Sequence, residues 1–144
     1  MAKEPIETRV GRAVSASKPG AEYEEAVRSL GSICKSLARS LNPRPESGRA
    51  GVFLLPGFQA TMGQQLNVVV EIPRVNFRDT LFRAYVPLAG FPVQLDFYGE
   101  EPVRAETVEA MEDAIVDFLG KPEVSARLNT YRSLIEGPPP LSER

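Results

Sequence analysis

The chain has 144 residues, a length that supports a single domain with a hydrophobic core large enough to need no disulfide or metal. It is 42% hydrophobic and 25% charged, and its formal net charge of −2 gives no electrostatic reason to expect nucleic acid or an anionic membrane as a partner. Histidine is absent and there is one cysteine, which excludes Ser-His and Cys-His catalytic pairs and the usual zinc sites.

The N-terminal segment, residues 1–18, is polar and shows no regular spacing of apolar residues, which predicts a flexible tail. It also lacks the apolar stretch of a secretory signal, and no apolar run approaches the ~18 residues that span a membrane. We therefore expect a cytoplasmic protein with one α+β domain over residues 19–136. Residues 137–144, which begin with Gly-Pro-Pro-Pro, are expected to form a second flexible tail.

The first regular element is a helix from about Glu22 to Leu41, because apolar residues recur there at every third or fourth position. Asn42-Pro43 is a typical helix end. Cys34 belongs to the apolar stripe, so we expect a packed and unreactive thiol rather than a nucleophile. The stripe consists of Tyr23, Ala26, Val27, Leu30, Ile33, Cys34, Leu37 and Leu41.

Strand-like segments come next, separated by an expected turn at Pro56-Gly57 and an expected loop over residues 73–78. The last two strands carry enough pattern to predict their register. If Phe82 lies opposite Phe97, then Arg83 lies opposite Asp96, whereas a shift by one residue would mix the apolar and polar faces. The expected strands are Gly51–Pro56, Gln64–Ile72, Thr80–Pro87 and Phe91–Tyr98.

Two further helices are predicted over residues 105–119 and 122–136 from the same periodicity. The acidic residues on the outer face of the first favour a solvated surface over a metal site, with a docking surface for a basic partner as the alternative. The apolar stripe of the second must be buried, either against its own sheet, which we favour, or against a second molecule, which would be a partner protein or a second copy in a homodimer. This stripe consists of Val124, Leu128, Tyr131, Leu134 and Ile135.

Together these elements predict an α+β fold with an N-terminal helix, a four-stranded antiparallel meander and two C-terminal helices. The order is similar to that of the ubiquitin-conjugating and RWD-type folds, and its first five elements are similar to the cystatin-like folds. Resemblance to the ubiquitin-conjugating enzymes implies a catalytic cysteine after the fourth strand. This chain has Gly-Glu-Glu-Pro at 99–102 and no cysteine there, so the resemblance implies the fold without thioester chemistry.

Two groups of residues are candidates for a binding surface. The first lies on the polar face of the last two strands and consists of Arg83, Tyr85, Asp96 and Tyr98, with Leu81 and Val69 expected on the same face. The alternative is that the two C-terminal helices cover this face, which would make it part of the core. The second is the 73–78 loop, whose basic and aromatic residues are Arg74, Phe77 and Arg78. Such a loop could clamp single-stranded nucleic acid, but two arginines make a small footprint and nucleic acid is not the expected partner.

A catalytic role for the first group is not expected. Asp96 and Glu100 are separated by about 13 Å along an extended strand. The carboxyl groups of glycoside hydrolases lie roughly 5–9.5 Å apart, so these two do not match that arrangement.

The sequence therefore favours a non-catalytic cytoplasmic interaction module, such as an adaptor, chaperone or neutralising protein, with a protein partner and no cofactor or metal. The alternative is a small-ligand binding protein or a histidine-free enzyme, with a pocket between sheet and helices. A closed core with an exposed patch would favour the module, and a deep cavity lined by polar groups would favour the ligand binder.

Overall fold

A computed structural model describes residues 4–16, 20–42, 50–60 and 62–137. The fold is α+β, as predicted, and its sheet is antiparallel with five strands in the order β1-β2-β3-β4-β5. A short 3₁₀ turn over Pro73–Val75 separates β2 from β3. The elements are α1 (Ile6–Ala16), α2 (Ala21–Leu41), β1 (Gly51–Ala60), β2 (Gly63–Ile72), β3 (Phe77–Pro87), β4 (Val93–Asp96), β5 (Val103–Ala105), α3 (Val108–Leu119) and α4 (Pro122–Glu136).

Helices α2, α3 and α4 all pack on one face of the sheet. The hydroxyl of Tyr23 in α2 donates a hydrogen bond to Gln64 of β2, and Phe118 of α3 packs edge-on against Phe82 of β3. The ring of Tyr131 in α4 contacts Phe77 at the start of β3. The strand pairing places the sheet residues of these contacts on the same side. The space between this face and the helices is filled by buried apolar side chains, among them Leu30, Val68, Val70, Phe82, Leu95, Met111 and Ile115.

The predicted register of β3 and β4 is confirmed. Arg83 lies opposite Asp96 and Ala84 lies opposite Leu95. The rings of Phe82 and Phe97 approach with their centres 5.5 Å apart. The connection between the two strands is a loop over residues 88–92.

Strand β1 does not turn at Pro56-Gly57, as the sequence suggested. It continues to Ala60, with an irregularity in its pairing to β2 between Pro56 and Gln59. β1 is at the edge of the sheet, where proline is tolerated because one side of the strand needs no hydrogen-bond donor. The short strand β5 was also missed, because Val103–Ala105 is too brief to show alternation.

A β-bulge in β3 corrects the expected position of Leu81. Val68 pairs with Phe82 but the next residue, Val69, pairs with Thr80, so Leu81 is the extra residue on β3. The bulge turns Leu81 to the helix-covered face, where it is fully buried beside Phe82. Val69 keeps its expected side of the sheet but is itself buried.

Residues 6–16 form helix α1, where the sequence predicted a tail without regular structure. The helix has an apolar stripe that was overlooked because it is short: Ile6, Val10 and Ala13 are spaced by four and three positions. Its side chains over residues 4–13 are all exposed. In the part of the chain that the structure describes, no helix is both long and apolar enough to cross a membrane.

Helix α4 buries its apolar stripe in its own domain, in agreement with the favoured alternative. Val124, Tyr131 and Ile135 are buried, and Leu128 and Leu134 are partly buried against the same core. The apolar stripe of α4 is therefore part of the core of its own domain.

Asp79, turned to the helix side by the bulge, ties α4 to β3. It accepts hydrogen bonds from the hydroxyl of Tyr131 and from Nη2 of Arg127, the latter at 2.6 Å. Burial, supported by the hydrogen bond to Asp79, raises the pKa of Tyr131 to about 12. The two α4 side chains therefore fix the position of the helix along β3.

Cys34 lies in the core, as predicted, with 4% of its surface exposed. Burial raises the pKa of its thiol from 9.0 to about 11. Burial therefore opposes ionisation of the Cys34 thiol in the folded state. The contribution of the neutral thiol to the free energy of unfolding is fully present below pH 9.0 and is lost as the pH rises to about 11.

We expect thiol reagents at pH 8 to modify Cys34 at least ~100-fold more slowly in the native protein than in denaturant, because the thiolate is suppressed and shielded. Absorbance-monitored labelling in buffer and in 6 M guanidinium, with a small thiol peptide as reference, measures both rates. Native labelling at the rate of the peptide would contradict the core position of Cys34.

Candidate functional site

The open face of the sheet, defined here as the side opposite α2–α4, gathers most of the first predicted group. Polar side chains from β2, β3 and β4 alternate with the core residues and therefore share this face. Together with the loop after β4 they line a shallow concavity of about 280 Å³. Its lining residues are Gln65, Arg83, Tyr85, Gln94, Asp96, Glu100 and Pro102.

Arg83 is held in the concavity by Tyr98. Its Nε donates to the Tyr98 hydroxyl at 2.5 Å, and its guanidinium carbon lies 4.9 Å from the centre of the same ring. Both contacts favour one orientation of a side chain that is otherwise flexible. Arg83 and Asp96 are strand partners, as the register predicts, but they do not form an ion pair with each other.

Asp96 is half-buried in the concavity and makes no ion pair with any of the described residues. Glu100, on the same rim, pairs instead with Lys121 at the start of α4. An unengaged carboxylate is a strong acceptor for an N–H or a cation supplied from outside. The site can therefore bind a donor, while Arg83 beside it can bind an acceptor.

Apart from the hydroxyl of Tyr85, the remaining polar groups of the concavity are side-chain amides. Gln65 donates to Asn67 on the same strand at 3.1 Å, and Gln94 is exposed. Amides supply both donors and acceptors, which suits the backbone of a polypeptide. Gln65 was not predicted as a site residue, although its alternation with Leu66 and the pairing of β2 with β3 would have placed it here.

The second predicted group, Arg74, Phe77 and Arg78, is distributed among intramolecular contacts. Arg74 donates to the carbonyl of Gly137 at 2.8 Å and so caps the last turn of α4. Phe77 packs against Tyr131 with ring centres 5.7 Å apart. Arg78 lies on the open face and pairs with Glu71 at 2.6 Å. These side chains do not converge on one surface, and the expectation that nucleic acid is not the partner stays a prediction.

The acidic face of α3 is exposed to solvent at Glu109, Glu112 and Asp113. Across residues 4–16, 20–42, 50–60 and 62–137, three potential metal ligands do not come together anywhere.

Comparison with known proteins identifies no protein similar to this chain. No family model matches the chain, and neither a curated protein nor a solved structure is significantly similar to it. The likeness in element order to the ubiquitin-conjugating, RWD-type and cystatin-like folds therefore stays a prediction from the sequence.

Proposed function

We propose that this protein is a non-catalytic interaction module of the cytoplasm that binds a partner protein through the open face of its sheet. The observation that supports this most directly is the convergence of Arg83, Tyr85 and Asp96 in one concavity, with Tyr98 holding Arg83 in place. The alternation of residues along β3 and β4 independently predicts that these four residues share one surface.

The shape of the concavity favours a protein over a small molecule. Pockets for small ligands enclose most of the ligand's surface. This concavity of about 280 Å³ is shallow and lies on an exposed sheet face, so it would leave much of a small ligand in solvent. The space between sheet and helices, where the ligand-binding alternative needs its pocket, is filled by apolar side chains such as Leu30, Phe82 and Met111.

The chemistry of the face also suits a polypeptide partner. Tyrosine and arginine are the residue types that contribute most at protein interfaces, and Tyr85, Tyr98 and Arg83 stand together here. Asp96 would accept hydrogen bonds from a lysine, an arginine or a backbone N–H of the partner. We therefore propose a partner segment that places a basic side chain at Asp96.

Charge reversal at Asp96 tests this proposal. We expect Asp96→Lys to weaken binding of the partner at least tenfold, because the partner's donor would then face a cation. Asp113→Lys, on the exposed side of α3, is the matched control, since it makes the same charge change on the other side of the molecule. Both variants should melt within a few degrees of the wild type.

The measurement has two steps. Affinity capture from an extract of the native host identifies partners that the wild type and Asp113→Lys both retain and Asp96→Lys loses. Calorimetry with the purified partner then gives the three dissociation constants. Equal affinity of all three proteins for every partner would show that the open face is not the binding surface.

A further inference from the structure

A second concavity lies between helices α2 and α3, on the opposite side of the molecule from the open face. This groove measures about 540 Å³ and has an apolar floor made of Ile33, Leu37, Ile115, Val116 and Leu119. Val116 is 65% exposed and joins this floor, so it forms part of a larger apolar patch and is not an isolated surface residue. The groove is therefore apolar surface that the domain itself leaves uncovered.

Helix α1 exposes an apolar stripe of its own. Ile6 is 66% exposed and Val10 is 51% exposed, and Ala13 continues the same stripe. An isolated helix of 11 residues is marginal in water, because helices of this length usually need tertiary packing. The molecule thus carries an unpartnered amphipathic helix and an unfilled groove between two helices.

We propose that the groove between α2 and α3 binds helix α1 of a second copy of this chain, and that the exchange is reciprocal. This is the helix-in-groove mode of recognition, in which apolar residues spaced by three or four positions enter a hydrophobic groove. Two identical helix–groove contacts related by a twofold axis form a closed dimer. Two such contacts bury more surface than one, which brings the total buried area closer to that of a stable interface.

The charges on the two surfaces are complementary. Arg9 flanks the apolar stripe of α1 on one side and Glu7 flanks it on the other. The groove has Glu112 on its α3 side, where a hydrogen bond of 3.2 Å from Ser29 holds it, and both Arg28 and Glu25 on its α2 side. A helix seated with Arg9 beside Glu112 and Glu7 beside Arg28 opposes unlike charges on both edges, although Glu25 adds one like charge on the α2 edge.

Geometry favours a second copy over the helix of the same chain. Residues 17–20 join α1 to α2, so α1 of the same chain would have to double back along α2 from its first turn. From Ile6 to Ala16 the helix spans about 15 Å, and residues 17–20 can add up to ~13 Å to its reach along α2. In this structure, however, α1 leaves Ile6 and Val10 exposed and does not cover its own groove, so the groove is open to the helix of a second copy.

Oligomeric mass gives the first test. We expect the wild type to be a dimer by light scattering at micromolar concentration, and Val10→Asp and Val116→Asp each to weaken dimerisation at least tenfold. Thr8→Asp, on the opposite side of α1, is the control and should remain dimeric. A wild type that is monomeric at several hundred micromolar, or a dimer that both aspartate variants leave unchanged, would overturn the proposal.

Disulfide trapping then identifies the occupant. In a chain with both Val10→Cys and Val116→Cys, oxidation should give a covalent dimer on a non-reducing gel, while Thr8→Cys with Val116→Cys should not. The native Cys34 is buried and does not interfere. An internal disulfide within a monomer would instead show that α1 occupies its own groove and would refute the second copy. Asp96→Lys should leave the dimer intact, so this test and that of the open face fail independently.

Discussion

Replacing Gly90 with alanine is expected to lower the free energy of unfolding by roughly 2–5 kcal/mol. Gly90 lies in the loop between β3 and β4 with a φ of +99°, a conformation that side chains rarely adopt. A Cβ atom there would lie 2.5 Å from Cβ of Glu22 and 2.6 Å from its carbonyl carbon. Because the second contact is with backbone, the loop or the start of α2 would have to move.

Gly99→Ala is the matched control for this change. Gly99 also has a positive φ, of +84°, but no atom lies within 4 Å of the position its Cβ would take. Its replacement should therefore cost only the backbone strain, about 1–2 kcal/mol. Urea denaturation of both variants measures the difference. Equal losses of stability would mean that the loop does not pack against α2 as closely as the structure has it.

The sequence carried enough information to predict the central part of the fold. Phe82, Arg83, Asp96 and Phe97 alternate so clearly that only one register of β3 and β4 separates apolar from polar residues. The same alternation assigned Arg83, Tyr85 and Asp96 to one face, and these residues do line one concavity. Local periodicity was sufficient to predict register and facing wherever one side of an element is buried and the other is exposed to solvent.

The features that escaped prediction depend on contacts distant in sequence. Nothing near Leu81 indicates a bulge, because the bulge is defined by the pairing of β3 with β2. Likewise, Arg83 could reach either Asp96 or Tyr98, and the loop after β4 decides for the tyrosine. Arg74 lies 63 residues before the Gly137 carbonyl that it caps, so no local pattern could have predicted that contact.

Helix α3 is attached to the sheet by a cluster of three aromatic rings, and this predicts the second large effect. Phe118 stacks on Phe97 with ring centres 4.3 Å apart and an interplanar angle of 11°. It also contacts Phe82 edge-on at 5.8 Å. We expect Phe118→Ala to cost roughly 3–5 kcal/mol, since it leaves a cavity and removes both ring contacts. That loss is a large share of the roughly 5–15 kcal/mol by which such domains are stable.

Val116→Ala, two residues earlier on α3, separates the role of the cluster from that of the helix itself. Val116 is 65% exposed, so its truncation should change the unfolding free energy of the monomer by less than about 0.5 kcal/mol. Urea titrations of both variants at a concentration low enough to keep the chain monomeric give the comparison. If Phe118→Ala cost no more than Val116→Ala, the ring cluster would not hold α3 to the sheet, and the groove beside it would lose the fixed wall that it needs to bind a helix.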